Sequence, residues 1–377
     1  MTSTGLTRRE LCGGIGAVVT STTAVSSMTA SLAQAAESTN ALTALAASKG
    51  ITFGCQISSS FFSPSYLGLY RGAVRVVTPE NDLKAWRVHP SADRYDYSGA
   101  DRILDFASSS KIAVHGHTLI WGNGKYNPPW IRDLPNDKVP GFIDQFIKTV
   151  MGHYRGRIVS WDVVNEPTSL GQGNVPAYQE GPFFSALGPS YVGRCFEAAR
   201  AADPKAILVL NEAQTERDDK MGLAWRKNLL TCLDGLVQSG APIQAVGLQS
   251  HLRPQLPFDP KAFDTFLSEI EHRNLDIYIS ELDVDDVSFP DDIAERDKRV
   301  ADTYHEYLSI VLPHRRVKRL VTWGMADPYS FYVALARQKD PGAQRQPRPL
   351  LLDERFARKP AWFAVERALR EAPARSA

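Results

Sequence analysis

Eight short apolar runs, separated by stretches with helical spacing, constrain this chain more than any other feature. They are ITFGCQI (51–57), AVRVVTPEN (73–81), IAVHGHTLIW (112–121), IVSWDVVNE (158–166), AILVLNE (206–212), AVGLQSH (245–251), IYISELDV (277–284) and LVTWGMAD (320–327). Runs of this length and continuity read as strands covered on both faces. Between them lie amphipathic stretches such as 142–154, 191–203, 224–237, 262–273 and 292–312, and 359–372 follows the eighth run. Buried parallel strands need helical crossovers on their outer face, so this alternation predicts an α/β fold, a (β/α)8 TIM barrel. No Gly/Ser/Pro-rich linker interrupts it, so one domain is expected over residues 36–377.

The residues that close these runs form a chemical set. Gln56, Glu80 with Asn81, His115 and His117, Asn165 with Glu166, Asn211 with Glu212, Gln249 and His251, Glu281, and Trp323 all stand at C-terminal strand ends. Polar strand ends are ordinary where a strand meets water, but that alone predicts Lys, Ser and Asp as readily as this set. In a barrel these ends converge on one face, where sites are built.

The formal net charge is +1, so neither nucleic acid nor an anionic membrane is an expected partner. Residues 1–35 carry Arg8-Arg9, a weakly apolar Ala/Gly/Ser/Thr-rich segment and Ala33-Gln34-Ala35. That order predicts a twin-arginine-type signal peptide, cleaved to leave a chain starting near Ala36, periplasmic or secreted; a disordered tail is the alternative. No other run is long enough to span a bilayer, so no membrane association is expected after processing. Cleavage removes Cys12 and leaves Cys55, Cys195 and Cys232, expected as free thiols, with a Cys195–Cys232 bridge as the alternative.

Two carboxylates on facing strands, Glu166 and Glu281, suit glycoside hydrolysis, in which one protonates the leaving oxygen and the other attacks or activates water. Val163 and Val164 predict apolar surroundings for Glu166. Asp283, two residues beyond Glu281 on the same strand face, can form a hydrogen-bonded set with His251 that keeps Glu281 ionised. The imidazoles of His115 and His117 share a strand face, but no cysteine or HExxH spacing accompanies them, so hydrogen bonding is expected and no metal or other cofactor. Trp121, Trp130 and Trp323 are candidates to stack on sugar rings, with core packing the alternative, above all for Trp130.

The motifs PENDLK (79–84), GHTLIW (116–121), WDVVNEP (161–167), GLQSHL (247–252), SELDV (280–284), TWGMADPYSF (322–331) and PLLLD (349–353) together resemble glycoside hydrolase family 10, the endo-1,4-β-xylanases. The resemblance spans residues 45–370. It implies a retaining mechanism with Glu166 as acid/base and Glu281 as nucleophile. Asn165 would hold the 2-hydroxyl beside the reacting carbon, and His251 with Asp283 would tune Glu281. Glu80, Asn81, Lys84, His117, Trp121, Gln249 and Trp323 would line the glycone subsites, with Phe331 where many members carry a second tryptophan. The implied partner is xylan or a xylo-oligosaccharide bound by a monomer.

Two departures stand out. Ala213, in NEAQ (211–214), replaces an aromatic platform on the leaving-group side, and Gly122 replaces a histidine. Gly122 and Phe331 are expected to widen or reshape the cleft, and Ala213 to alter its leaving-group side. The basic stretch from Leu335 to Arg348, with Arg337, Lys339, Arg345 and Arg348, is a candidate for contacting acidic xylan substituents, with a solvated loop the alternative. Two other functions fit the same residues: hydrolysis of another β-1,4-glycan, such as a glucan or mannan, and non-catalytic xylan binding.

Overall fold

In the computed structural model, which describes residues 42–170, 177–342 and 344–374, eight parallel strands close into a barrel. They are β1 (Thr52–Ile57), β2 (Val76–Pro79), β3 (Ala113–Gly116), β4 (Ser160–Asn165), β5 (Ile207–Glu212), β6 (Ala245–Leu248), β7 (Asp276–Val284) and β8 (Val317–Thr322). Each pairs with its sequence neighbour, and β8 returns to β1 with Thr52 opposite Arg319 and Cys55 opposite Thr322. The expected signal segment lies outside the described residues.

Among the described residues, seven longer helices wrap the barrel: α1 (Ser98–Ser109), α2 (Val139–His153), α3 (Ser190–Ala202), α4 (Lys220–Gln238), α5 (Pro260–His272), α6 (Ile293–Val311) and α7 (Pro360–Glu371). Local chemistry starts three of them. Asp219, Asp259 and Asp292 each turn a carboxylate back to first-turn amides, at 2.9 to 3.1 Å, and Pro260 occupies a position where its missing N–H costs nothing. Their apolar faces and the outward strand residues form one continuous core, which includes Trp161, Phe196, Tyr304 and Trp362. None of the described helices is long and apolar enough to cross a membrane. Cys55, Cys195 and Cys232 are buried free thiols.

The third, sixth and eighth runs differ most from their sequence boundaries, the sixth because His251–Leu252 pairs with β7 as a segment separate from β6. The third splits into β3 and a two-residue segment, Ile120–Trp121, that pairs with β4 beyond His117. The eighth begins three residues earlier, at Val317, because Lys318 and Arg319 mask its start: Arg319 turns inside, its guanidinium 4.2 Å from the Tyr278 ring, and donates to Ser160 Oγ at 2.8 Å. Trp323 therefore lies beyond the strand, in the loop above it.

Between Asp162 and Val164 the β4–β5 register slips by one residue. Asp162 faces into the barrel, bonded to His117. Strict alternation from there would send Asn165 outward; the extra residue resets the phase and turns Asn165 toward the barrel mouth.

Candidate active site

The strand ends surround a cleft of about 880 Å3 at the C-terminal mouth of the barrel. Glu166, Glu281, Asn165, His251, Glu80, Asn81, Lys84, His117, Trp121, Gln249, Trp323 and Phe331 all line it. Asp283 lies behind the wall, fully buried against His251, and Gln56, His115 and Asn211 of the strand-end set are likewise buried behind it. Trp130 is not in the cleft; its indole donates to His89 O at 3.2 Å and packs edge-on against Phe142, the structural role given as its alternative.

The ring order of the strands divides the cleft into two arms. Glu166 at the end of β4 and Glu281 on β7 separate an arm built over β8, β1, β2 and β3 from one built over β5 and β6. A chain of side-chain amides joins the carboxylates. Asn211 Nδ2 donates to Glu281 Oε1 at 2.8 Å and to Asn165 Oδ1 at 2.9 Å, while Gln249 Nε2 donates to Glu166 Oε1 at 2.9 Å. Ser280 fixes Asn211 by donating to its Oδ1 at 2.7 Å. Gly247 makes room for this link, since a Cβ there would lie 2.2 Å from Asn211 Oδ1.

The two carboxylates sit in different surroundings. Glu281 is 4% exposed. His251 holds it with Nε2 3.3 Å from Glu281 Oε2, while its Nδ1 lies 2.8 Å from Asp283 Oδ1, so Asp283 acts on Glu281 through the ring. Burial would lower the His251 pKa, but Asp283 and Glu281 raise it well above its ordinary value. Burial would equally raise Glu281; the His251 bond and the charges of His117, His251 and Lys84 reverse this and hold its carboxyl below the usual range.

Glu166 is half-buried, and its backbone is left-handed, with φ of 48°. A non-glycine residue in that region is held there by its surroundings, a feature that clusters at functional sites. Its oxygens receive N–H groups from Trp121 at 3.0 Å, Gln249 at 2.9 Å and Asn165 at 3.4 Å. Val163 and Val164 instead belong to the core, so the neighbours of this carboxylate are donors and not the apolar side chains expected from the sequence.

The two imidazoles of the HGH segment are both engaged by one carboxylate. Asp162 lies 2.8 Å from His117 Nδ1 and 3.1 Å from His115 Nε2, which leaves His117 Nε2 for the cleft. Among the described residues no His/Cys/Asp/Glu group could hold a metal ion. Lys84, 8% exposed, stands 4.6 Å from the Trp121 ring and bonds Asn81 at 3.3 Å, and Gln56 donates to Glu80 at 2.7 Å.

Several wall residues carry no strand-end signature and were not legible in the sequence: Trp86, Tyr126, Arg217, Met221, Trp225 and Arg253. Tyr126 stacks on Trp121 at 4.2 Å, and Trp225 projects from α4. Two expectations are corrected. Gly122 does not widen the cleft, because a Cβ there would meet Glu166 O at 2.5 Å and the Tyr191 hydroxyl at 2.9 Å; it is a packing position. The basic stretch does not reach the cleft: Arg345 pairs with Asp291, and Arg348 with Asp297 and Glu354.

Residues 41–368 match the sequence profile of glycosyl hydrolase family 10. Endo-1,4-beta-xylanase B of Thermotoga neapolitana is 28% identical over 338 residues, covering 88% of this chain and 92% of the relative. Xylanase 10B of Thermotoga maritima superposes with a TM-score of 0.76 at 28% identity, over 88% of this chain and 98% of that one. Xylanase 10B of Thermotoga petrophila RKU-1, solved in complex with xylobiose, superposes with the same TM-score at 29% identity, over 88% and 97%. A (β/α)8 barrel with paired carboxylates at its mouth, matched by this profile along nearly its whole length, belongs to glycosyl hydrolase family 10.

Proposed function

We propose that this chain is a retaining endo-1,4-β-xylanase, with Glu281 as nucleophile and Glu166 as acid/base. The observation that carries the reading is the pair's asymmetry. Glu281 is buried and kept ionised by a charged imidazole, as an attacking carboxylate requires, whereas Glu166 is half-exposed at the mouth, where a leaving group and then water can reach it. Glu281 attacks the anomeric carbon as Glu166 gives its proton to the departing glycosidic oxygen. Water then takes the sugar from Glu281 while Glu166 takes back a proton. Double displacement needs carboxyl groups roughly 5–5.5 Å apart, close enough for the amide chain through Asn211 and Asn165 to link them. Arms on both sides of the pair fit cleavage inside a polymer.

Asn165 Oδ1 accepts from Asn211, which orients its amide for a sugar hydroxyl. Trp323, edge-on to His117 at 5.7 Å, offers an indole face in the same arm. A monomer exported through its twin-arginine-type segment, periplasmic or secreted, completes the reading. Replacing Arg8 and Arg9 by Lys and following the protein across the inner membrane tests the export.

The activity is tested by reducing-sugar release from β-1,4-xylan, β-1,4-glucan and β-1,4-mannan, with Glu281→Gln alongside. Xylan cleavage abolished by the substitution is expected. Turnover of glucan or mannan alone would move the substrate class, and binding of xylan with no turnover of any polymer would make the chain a xylan-binding protein. Glu166→Ala separates the roles: it should form the glycosyl-enzyme from an aryl xylobioside whose leaving group needs no proton, yet fail on xylan.

A further inference from the structure

The arm over β5 and β6 is chemically unlike its counterpart. Ala213 contributes only a methyl group to this arm, and the aromatic surface comes from Trp225 on α4, whose indole Nε1 is buried without a hydrogen-bond partner. Arg217 and Arg253 line the same arm and converge on one oxygen, with Arg217 Nη1 3.1 Å and Arg253 Nη1 3.3 Å from Gln214 Oε1. Arg217 is neutralised by Asp219, with Nε 2.8 Å from Asp219 Oδ1. Arg253 forms no ion pair among the described residues, and its bond to Gln214 is long.

In this arm the neighbouring arginines are paired, Arg217 with Asp219 and Arg226 with Asp218, the latter at 2.8 Å. The buried Glu216 shares a neighbouring pocket with Arg217 and Arg253 but lies within ion-pair distance of neither, and its Oε2 has no hydrogen-bond partner. A guanidinium offers a planar fork of donors suited to a carboxylate, and at the wall of a sugar cleft the matching carboxylate is that of a uronic acid.

We propose that the β5–β6 arm binds an acidic sugar substituent, with Arg253 on its carboxylate and Trp225 beside its ring, so that the chain favours uronic-acid-decorated xylan over neutral xylan. The inference rests on the reading of this cleft as a xylanase site and specifies which decoration that site selects.

The test compares glucuronoxylan with the same polymer after reduction of its carboxyl groups to hydroxymethyl, using the full chain, Arg253→Gln and Arg253→Lys. The ratio of kcat/KM on the acidic polymer to that on the reduced one cancels any loss of folded enzyme. Arg253→Gln is expected to lower that ratio about tenfold, and Arg253→Lys to lower it less, because an ammonium keeps the charge and loses the fork. A ratio unchanged by Arg253→Gln overturns the proposal. If the unmodified chain cleaves neither polymer, the xylanase reading fails, and titration with a glucuronic-acid-bearing xylo-oligosaccharide and its carboxyl-reduced form still decides this one. Tighter binding of the acidic form, lost in Arg253→Gln, supports it, and equal binding of the two forms overturns it.

Discussion

The two arms of the cleft are made in different ways. Over β8, β1, β2 and β3 the wall consists of strand-end and adjoining-loop residues that sit deep and hold one another: Glu80 with Gln56, Lys84 with Asn81 and the Trp121 ring, His117 with Asp162. Over β5 and β6 the wall beyond the strand-end Glu212, Gln249 and His251 is supplied by turns and a helix, through Gln214, Arg217, Met221, Trp225 and Arg253, and its polar groups are incompletely engaged. A wall whose donors are already committed is preorganised around one sugar geometry. A wall with uncommitted donors adapts to what the polymer carries, so catalysis should depend on the first arm and selectivity on the second.

The largest effect belongs to the seam between the arms. Glu166→Gln is expected to lower kcat on xylan by about 10^2 to 10^4, the span of general acid–base contributions, measured by reducing-sugar release. Gly247→Ala tests the amide chain without touching a charge. Its methyl would sit 2.2 Å from Asn211 Oδ1 and displace the donor to Glu281, and about a hundredfold loss of kcat is expected with little change in polymer binding. Equal activity in this variant would show that the arms function without a shared support.

His251→Asn sharpens the comparison through pH. Glu281 is held below its ordinary carboxyl value, so in the unmodified chain the proposed nucleophile stays ionised to lower pH than a free carboxyl would. Removing the charged imidazole leaves burial uncompensated, so the acid limb of kcat/KM should move to higher pH, with a loss of roughly tenfold at pH 5. An unmoved limb would assign control of Glu281 to Lys84 and Asn211.

Smaller effects separate the arms themselves. Trp225→Ala is expected to raise KM on polymer about tenfold while leaving kcat on a short aryl xylobioside unchanged, whereas Trp323→Ala should lower kcat on both substrates. If the two variants behave alike, the division between catalytic and selective arms fails. The smallest effect on catalysis is expected from Arg345 and Arg348 changed together to Ala. Their pairs with Asp291 and Asp297 brace the barrel, so thermal melting should report a loss of about 1–3 kcal/mol while relative rates on acidic and neutral xylans stay constant.

Much of the first arm was legible because barrel geometry ties a strand's last residues to one face. PENDLK and HGH therefore carried residues of that arm, and at the seam and on β6 the strand-end Glu166, Glu281 and His251 line the cleft, with Asp283 bonded behind His251. Trp225 and Arg253 were illegible for the converse reason: nothing in a helical stretch or a turn marks which side chain faces a cleft formed by other segments. The basic stretch at 335–348 shows the same limit, since its charge was plain but its acidic partners come from residues such as Asp291 and Asp297, brought near only by folding.

The sequence by itself determined the barrel, the order of its strands, the face that carries the candidate site and the strand-end placement of Glu166 and Glu281, because hydrophobic periodicity and strand-end placement are local properties of the chain. Only the tertiary structure decided what surrounds those carboxylates: the register slip that turns Asn165 into the mouth, the imidazole between Glu281 and Asp283, the amide chain through Asn211, and Arg253, which has no ion pair among the described residues. Each depends on distances between segments far apart in sequence, and electrostatic interactions take their size from those distances and from the burial that folding imposes.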